Sequence, residues 1–279
     1  MSLKIKIVAD SSCDLTKLEN ANFEVAPLKI ITSKNEYTDN SELDVEKMVN
    51  ELSEYKGKSS TSCPNVSDWL SAFGDADMIF CFTITATLSG SYNSACLAKE
   101  TFESQYPDRK VFVLNSLSAG AEIAIIIQKA EELVNEGKDF ETVCKEIENY
   151  TEKTGLLFML ESLNNLANNG RVSPLTAKMA GFLGIRLVGK ASNKGDLEPL
   201  NKCRGEKKAL ETIVEHLKKS GLKKGKVRIT HCINPNAAKQ LESMILSEFP
   251  NATVEIDTCN GLCSFYAEKG GLLIGFEKF

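Results

Sequence analysis

Histidine is scarce in this chain. Only His216 and His231 occur among 279 residues, so any chemistry that needs an imidazole has two positions to draw on. His216 lies in the lysine-rich stretch EHLKKSG and reads as a surface residue. His231 closes the run KVRITHC and reads as a strand end facing a sheet-edge cleft. No two of the nine cysteines have CxxC spacing, and the CxxxC at Cys259 and Cys263 has no histidine nearby. The usual ligand spacing of a zinc site is therefore missing, and no metal is expected. Cys81 and Cys96 fall inside apolar patterns, as free buried thiols do. Free thiols suit a reducing compartment, and a cytoplasmic location is expected. No apolar run approaches the ~18 residues of a membrane-spanning helix. The opening MSLKIKIVAD runs straight into a strand-like pattern, with no secretory signal expected. The net charge is −5 and the basic residues are scattered. The clustered positive field that nucleic acid requires is not expected.

The chain is 42% hydrophobic and 25% charged, a balance that supports one large or two small globular domains. Its first half alternates strand and helix patterns. KIKIVAD at 4–10 reads as a buried strand, and EVAPLKIIT at 24–32 as a second, with Pro27 marking an edge or bulge. A helix is expected over 41–55 with Ser41 as N-cap and Asp44 three residues on, and a short one over 65–73 after Pro64. MIFCFTI at 78–84 is a continuous apolar strand, followed by a helix over 91–105, a strand over 110–114 and helices over 119–135 and 139–153. This rhythm implies a parallel sheet with helices on both sides, a three-layer α/β/α domain. From Thr154 the rhythm changes. A strand over 155–160 precedes helical segments over 161–168 and 174–183. Strands over 185–191 and 197–203 flank the hairpin signature Ser192-Asn193-Lys194-Gly195-Asp196. Two helix–strand units and a final strand over 271–276 follow. Adjacent strands without an intervening helix imply a mixed sheet, hence a two-layer α/β domain. The boundary is placed at 153, giving domains 1–153 and 154–279.

The stretch TATLSGSYNSACLA at 85–98 leaves the C-terminal end of an apolar strand and opens a helix. Ligands sit at such places in open α/β sheets. Ser89 and Ser91 offer hydroxyls, Gly90 permits close approach, and the helix start offers free N–H groups. Three readings stand: an anion cradle, a catalytic serine, or a well-capped helix with no ligand. A serine nucleophile needs G-x-S-x-G and a base. The sequence here is T-L-S-G-S, and His231 is the candidate base, which leaves a hydrolase or transferase using Ser89 with His231 as the rival. No G-K-[ST] follows this turn, which removes a phosphate loop of that type. A second hydroxyl-rich loop, SSTSCPN at 59–65, also precedes a helix. Thr61, Ser62 and Ser89 could converge on one anion, with Ser11 in the turn Asp10-Ser11-Ser12-Cys13-Asp14 along the same edge. Neutral donors suit a carboxylate better than a polyphosphate, which recruits Lys, Arg or a metal.

Together these segments resemble the DegV family of bacterial fatty-acid-binding proteins. Its D-S-T-x-D-L is matched by Asp10-Ser11-Ser12-Cys13-Asp14-Leu15, V-x-P-L by Val25-Ala26-Pro27-Leu28, and T-S-Q-P-S by Thr61-Ser62-Cys63-Pro64-Asn65. L-S-G-T-Y-x-S-A is matched by Leu88 to Ala95, G-G-R-[IV] by Asn169-Gly170-Arg171-Val172, and V-R-G-x-K-K-A by Cys203 to Ala209. Each motif is weak alone; the ordered set from 10 to 209 is specific. The resemblance implies a long-chain fatty acid bound between two domains, with no cofactor. It implies that Thr61 and Ser89 hold the carboxylate, with Ser62 and Gly90 beside them. The tail would enter the second domain along Leu175, Met179 and Phe182, a stripe that also reads as plain core. Family members deliver the fatty acid to a separate kinase, so the chain would be a carrier and not the catalyst. Arg171, Arg204 and His231 are candidates for the head-group mouth or for kinase docking; surface ion pairs are the other reading of the arginines. The family often has a histidine before G-P-G near the head group. Here Tyr266 falls near that slot and could supply a hydroxyl. A monomer is expected, for want of a helix-pairing stripe.

Overall fold

The strand Ile5–Asp10 (β1) is buried from Ile7 onward, and each of its faces meets a different helix layer. In the computed structural model, which describes residues 3–173 and 184–279, β1 pairs in parallel with Phe23–Ala26 (β2) on one side and Met78–Thr83 (β6) on the other. Lys110–Asn115 (β7) extends the sheet to the order β2-β1-β6-β7. Val8, Ile79 and Cys81 pack with Trp69, Phe73 and Phe102 from the helices Val66–Phe73 (α2) and Ser91–Gln105 (α3). Ile7, Ala9, Phe80 and Phe82 face the opposite layer, Ala121–Asn135 (α4) and Phe140–Thr151 (α5). Period-2 alternation in a strand covered on both sides explains why these segments read as continuous apolar runs.

The expected strand over 24–32 is two strands. Pro27 cannot donate to a ladder, and the chain leaves the parallel sheet there. Lys29–Ile31 (β3) instead centres a small antiparallel sheet, β4-β3-β5, with Glu36–Thr38 (β4) and Ser60–Ser62 (β5). Thr61 therefore sits within a short strand, opposite Ile30, and not in a loop at the end of the parallel sheet. The helix expected from Ser41 begins later, as Val45–Glu54 (α1). Asn40 takes the preceding residues into a turn, its side chain accepting from Glu42 N–H at 3.1 Å. Asp44 is the N-cap, accepting from Lys47 N–H at 2.9 Å.

From Thr154 onward the strands form a six-stranded mixed sheet. Its order is β10-β9-β8-β13-β11-β12, built from Thr154–Leu160 (β8), Ile185–Ala191 (β9), Leu197–Arg204 (β10), Lys224–His231 (β11), Asn251–Thr258 (β12) and Leu272–Glu277 (β13). Only β11 and β12 run parallel. The short helix Asn164–Asn168 (α6) follows β8. Helices Glu206–Lys219 (α7) and Pro235–Glu248 (α8) cover one face. The other face receives α4, which packs on β13, β11 and β8 as well as on the parallel sheet. Ala121, Ile123, Ile125, Ile126 and Ile127 are fully buried as a result. A last short helix, Gly261–Ala267 (α9), bridges to α1, β3 and the turn after β1. The expected helix over 174–183, with Leu175, Met179 and Phe182, lies outside the described residues.

Candidate functional site

Asp10 ends β1 fully buried, and the loop after β6 is hung on it. Its carboxylate accepts from Ile84 N–H at 2.9 Å, from the Ser91 hydroxyl at 2.5 Å, and from the Ser12 N–H and hydroxyl. Burial raises its pKa against these four bonds. Ser91 is thereby committed to the scaffold and is not a donor to a ligand. The loop from Thr85 to Gly90 bulges beyond this anchor, with Ser89 Oγ accepting from Ser91 N–H at 3.3 Å. The Ser59–Asn65 segment is tied to the same helix start. Ser94 Oγ donates to Pro64 O at 2.7 Å and accepts from Trp69 Nε1–H at 3.0 Å.

Between the parallel and the mixed sheet lies a narrow apolar cleft. One wall comes from the first half of the chain: Leu28, Ile84, Leu88 and Ala119. The other comes from β8, α6, β10, α9 and β13: Leu156, Phe158, Leu160, Leu166, Leu197, Leu262, Cys263, Ala267 and Leu273. β8 shows how its sequence divides the work. Leu156, Phe158 and Leu160 face the cleft, while Leu157 and Met159 face the core under α7 and α8.

Among the described residues, four polar side chains line the cleft: Thr61, Ser89, Arg171 and Tyr266. Contacts link three of them, with Tyr266 touching both Thr61 and Arg171, and Ser89 lies beside them on the loop that Arg171 holds. The Thr61 and Tyr266 hydroxyls share a hydrogen bond of 2.7 Å. The Arg171 guanidinium lies 5.9 Å from the centre of the Tyr266 ring, within cation–π range. Arg171 Nε–H donates to the carbonyl of Leu88, the residue before Ser89, at 3.2 Å, and Nη1 bonds the carbonyl of Asn169. Burial holds the Tyr266 phenol above its ordinary range, against the lowering effects of Thr61 and Arg171. At neutral pH Tyr266 is therefore an un-ionised hydroxyl donor.

Helix α9, which carries Tyr266, is held by two carboxylates from the first half. Asp39 accepts from Gly261 N–H at 2.6 Å and Leu262 N–H at 2.8 Å. Asp14 accepts from Asn260 N–H at 2.8 Å and the Thr230 hydroxyl at 2.9 Å. Anions at a helix start satisfy orphan N–H groups and meet the positive end of the dipole. Burial raises Asp14 to about 7 and Asp39 to about 6.

The structure thus brings Thr61, Ser89, Arg171 and Tyr266 together. Five other candidates stand elsewhere. Ser62 and Gly90 lie outside the walls, because the pleat of β5 turns Ser62 away from Thr61 and Gly90 is exposed as the N-cap of α3. Ser11 is fully buried behind the wall, its hydroxyl accepting from Leu28 N–H at 3.0 Å and bonded to Asp39. Arg204 is exposed at the end of β10. His231 ends β11 away from the cleft, and its Nδ1 accepts from Asn234 N–H at 3.4 Å. It is not placed to serve as a base for Ser89. Sequence reasoning missed nearly all of the apolar walls and both carboxylates that hold α9. The run 156–160 is apolar throughout and so does not mark Leu156, Phe158 and Leu160 as cleft residues, and nothing local marked Asp39. Among the described residues, no group of three or more His, Cys, Asp or Glu side chains is placed to hold a metal, and no helix is long and apolar enough to cross a membrane.

A family model described as an uncharacterised protein of the DegV family matches residues 4–278. The chain belongs to the DegV family. A DegV domain-containing protein of Streptococcus pyogenes serotype M3 is 43% identical over 276 residues, 98% of this chain and 99% of the relative. A DegV family protein from Eubacterium eligens loaded with heptadecanoic acid superposes with a TM-score of 0.97 at 41% identity, covering 99% of this chain and 100% of that one. The Streptococcus pneumoniae Fatty Acid Kinase (Fak) B3 protein loaded with linoleic acid superposes with a TM-score of 0.97 at 42% identity, with the same coverage. The DegV architecture accounts for the parallel and mixed sheets and the helix layers described above.

Proposed function

We propose that this DegV protein binds a long-chain fatty acid in the cleft and presents its carboxylate to a separate fatty acid kinase. The observation that carries this reading is that Thr61, Ser89, Arg171 and Tyr266 line one cleft with otherwise apolar walls, with Tyr266 in contact with both Thr61 and Arg171. Thr61, Ser89 and Tyr266 offer hydroxyl donors, and Arg171 offers charge. Each methylene of the tail that leaves water contributes roughly 0.8 kcal/mol, so the tail supplies affinity and the polar group fixes orientation. The fatty acids in the similar E. eligens and S. pneumoniae structures support the ligand class, and the likeness to Fak B3 supports the kinase. The chain then acts as a carrier. The kinase transfers the γ-phosphoryl group of its nucleotide to a carboxylate oxygen, giving an acyl phosphate.

Mass spectrometry of organic extracts from purified protein tests the ligand. A stoichiometric fatty acid of ordinary membrane-lipid length is expected; its absence, together with no binding of added oleate or palmitate, would overturn the reading. Acyl phosphate formed by a fatty acid kinase only when this chain is added is the expected result for presentation. Equal product without the chain would remove that role.

A further inference from the structure

We infer that the turn of the β9–β10 hairpin is a latch that sets the position of Ser89, closed by Thr87 and Gly195. The inference rests on the reading of Ser89 as a donor to the ligand carboxylate. The Thr87 hydroxyl donates to the Gly195 carbonyl at 2.8 Å, across the two halves of the chain. Thr87 is solvent-exposed, so burial does not require this bond; its effect is positional. Gly195 has φ of +85°, and a Cβ there would come within 2.0 Å of Thr85 Oγ1 and 3.1 Å of Leu117 Cα. Thr85 is only 1% exposed and cannot swing aside. The turn therefore lies directly against the Thr85 side chain and the Leu117 backbone because position 195 has no side chain.

The turn is itself rigid. Ser192 N–H donates to Asp196 O at 2.8 Å, Gly195 N–H to Ser192 O at 2.9 Å, and Ser192 Oγ accepts from Lys194 N–H and Asp196 N–H at 3.1 Å each. Both sides of the latch continue into the cleft. Thr87 is followed by Leu88 and Ser89, and Gly195 is followed two residues later by Leu197, all three of them wall residues. A displacement of the turn is passed to Ser89 through two residues of backbone, on a loop also anchored at Asp10, Asn115, Ser118 and, through the Leu88 carbonyl, Arg171.

Competition titrations of a fluorescent fatty acid with palmitate and with 1-hexadecanol test this. The two share a tail and differ in the head group. Thr87→Val should weaken palmitate about 3- to 10-fold, the range of one lost positioning bond, and leave hexadecanol within about twofold of the parent chain. Thr87→Ser should restore palmitate binding, and Gly195→Ala should reproduce the selective loss. Unchanged palmitate binding in Thr87→Val, equal weakening of both ligands, or failure of Thr87→Ser to rescue would each overturn the latch. Ser89→Ala separates the two levels. If it weakens palmitate while Thr87→Val does not, the latch alone fails. If it leaves palmitate unchanged, Ser89 holds no carboxylate, and both readings fail.

Discussion

Thr61 and Tyr266 lie 205 positions apart in the chain, and their hydroxyls are 2.7 Å apart in the cleft. One belongs to the small antiparallel sheet, the other to the last helix. The bond therefore spans the seam between the halves at the polar end of the apolar walls. Each hydroxyl has one proton and two acceptor sites, so one of them donates to the other and the second proton is free for a ligand oxygen.

Tyr266→Phe removes that free proton or its partner and should weaken palmitate by about 1 kcal/mol, with Thr61→Val costing a similar amount. Because the two hydroxyls bond each other and, in the proposed function, serve one carboxylate, the double variant should lose less than the two single losses added, by at least ~0.5 kcal/mol. Isothermal titration of the four proteins measures the difference. Strict additivity would show that the two groups act on separate parts of the ligand or not on it at all.

Arg171 combines charge with a scaffold contact, and substitutions separate them. Arg171→Gln removes the charge beside the carboxylate and should cost about 1.5–3 kcal/mol, the range for hydrogen bonds to charged groups. Arg171→Lys keeps the charge and loses the Nε–H bond to Leu88 O, so it should fall between the parent and Arg171→Gln. A loss in Arg171→Gln that persists undiminished with 1-hexadecanol would assign Arg171 to loop structure alone.

The alternation of strands and helices was legible because short continuous apolar runs, such as MIFCFT at 78–83, alternate with longer stretches that mix apolar and charged residues, such as AEIAIIIQKAEELVN at 121–135. The two hydroxyl-rich stretches were legible through their residue types, though one of them is a strand and not a loop. What stayed hidden depends on pairing across long separations. Ser60–Ser62 carries no apolar alternation, and only its partner β3 makes it a strand. Ser11 and Ser91 look like Ser89 in sequence, yet the buried Asp39 and Asp10 claim them. Leu156, Phe158 and Leu160 read as core because strand period cannot say whether a face meets a helix or a cleft.

Gly275 in β13 marks the closest approach between the mixed sheet and α4. A Cβ there would lie 2.5 Å from Ala121 C and O and from Glu122 N. These are backbone atoms, so no rotamer change relieves the overlap. Gly275→Ala should therefore destabilise by about 1–3 kcal/mol, as overpacked cores do, measured as a lower urea midpoint with an unchanged slope. A midpoint equal to that of the parent would mean that α4 shifts freely over the sheet.

Asp14 gives a pH dependence with a definite sign. Burial raises its folded-state pKa to about 7, above the unfolded carboxylate value of about 3.9. Between those values the folded chain binds the proton more tightly than the unfolded chain, so this group contributes most stability below pH ~4 and loses it as pH rises through about 7. Asp39, raised to about 6, adds a loss of the same sign over a slightly lower window. Thermal stability should then decline from pH 5 to pH 8 in the part these two groups control. Asp14→Asn removes one share. Its amide oxygen can accept from Asn260 N–H, its NH₂ can donate to the Thr230 hydroxyl, and asparagine tolerates the φ of 54° at this position. The variant should be more stable than the parent at pH 8, on the order of 1–3 kcal/mol by linkage, and should show a flatter stability profile between pH 5 and 8. Calorimetric melting temperatures of the two proteins across that range decide the matter. A variant less stable than the parent at pH 8 would show that the ionised carboxylate is what holds Asn260 and α9 in place.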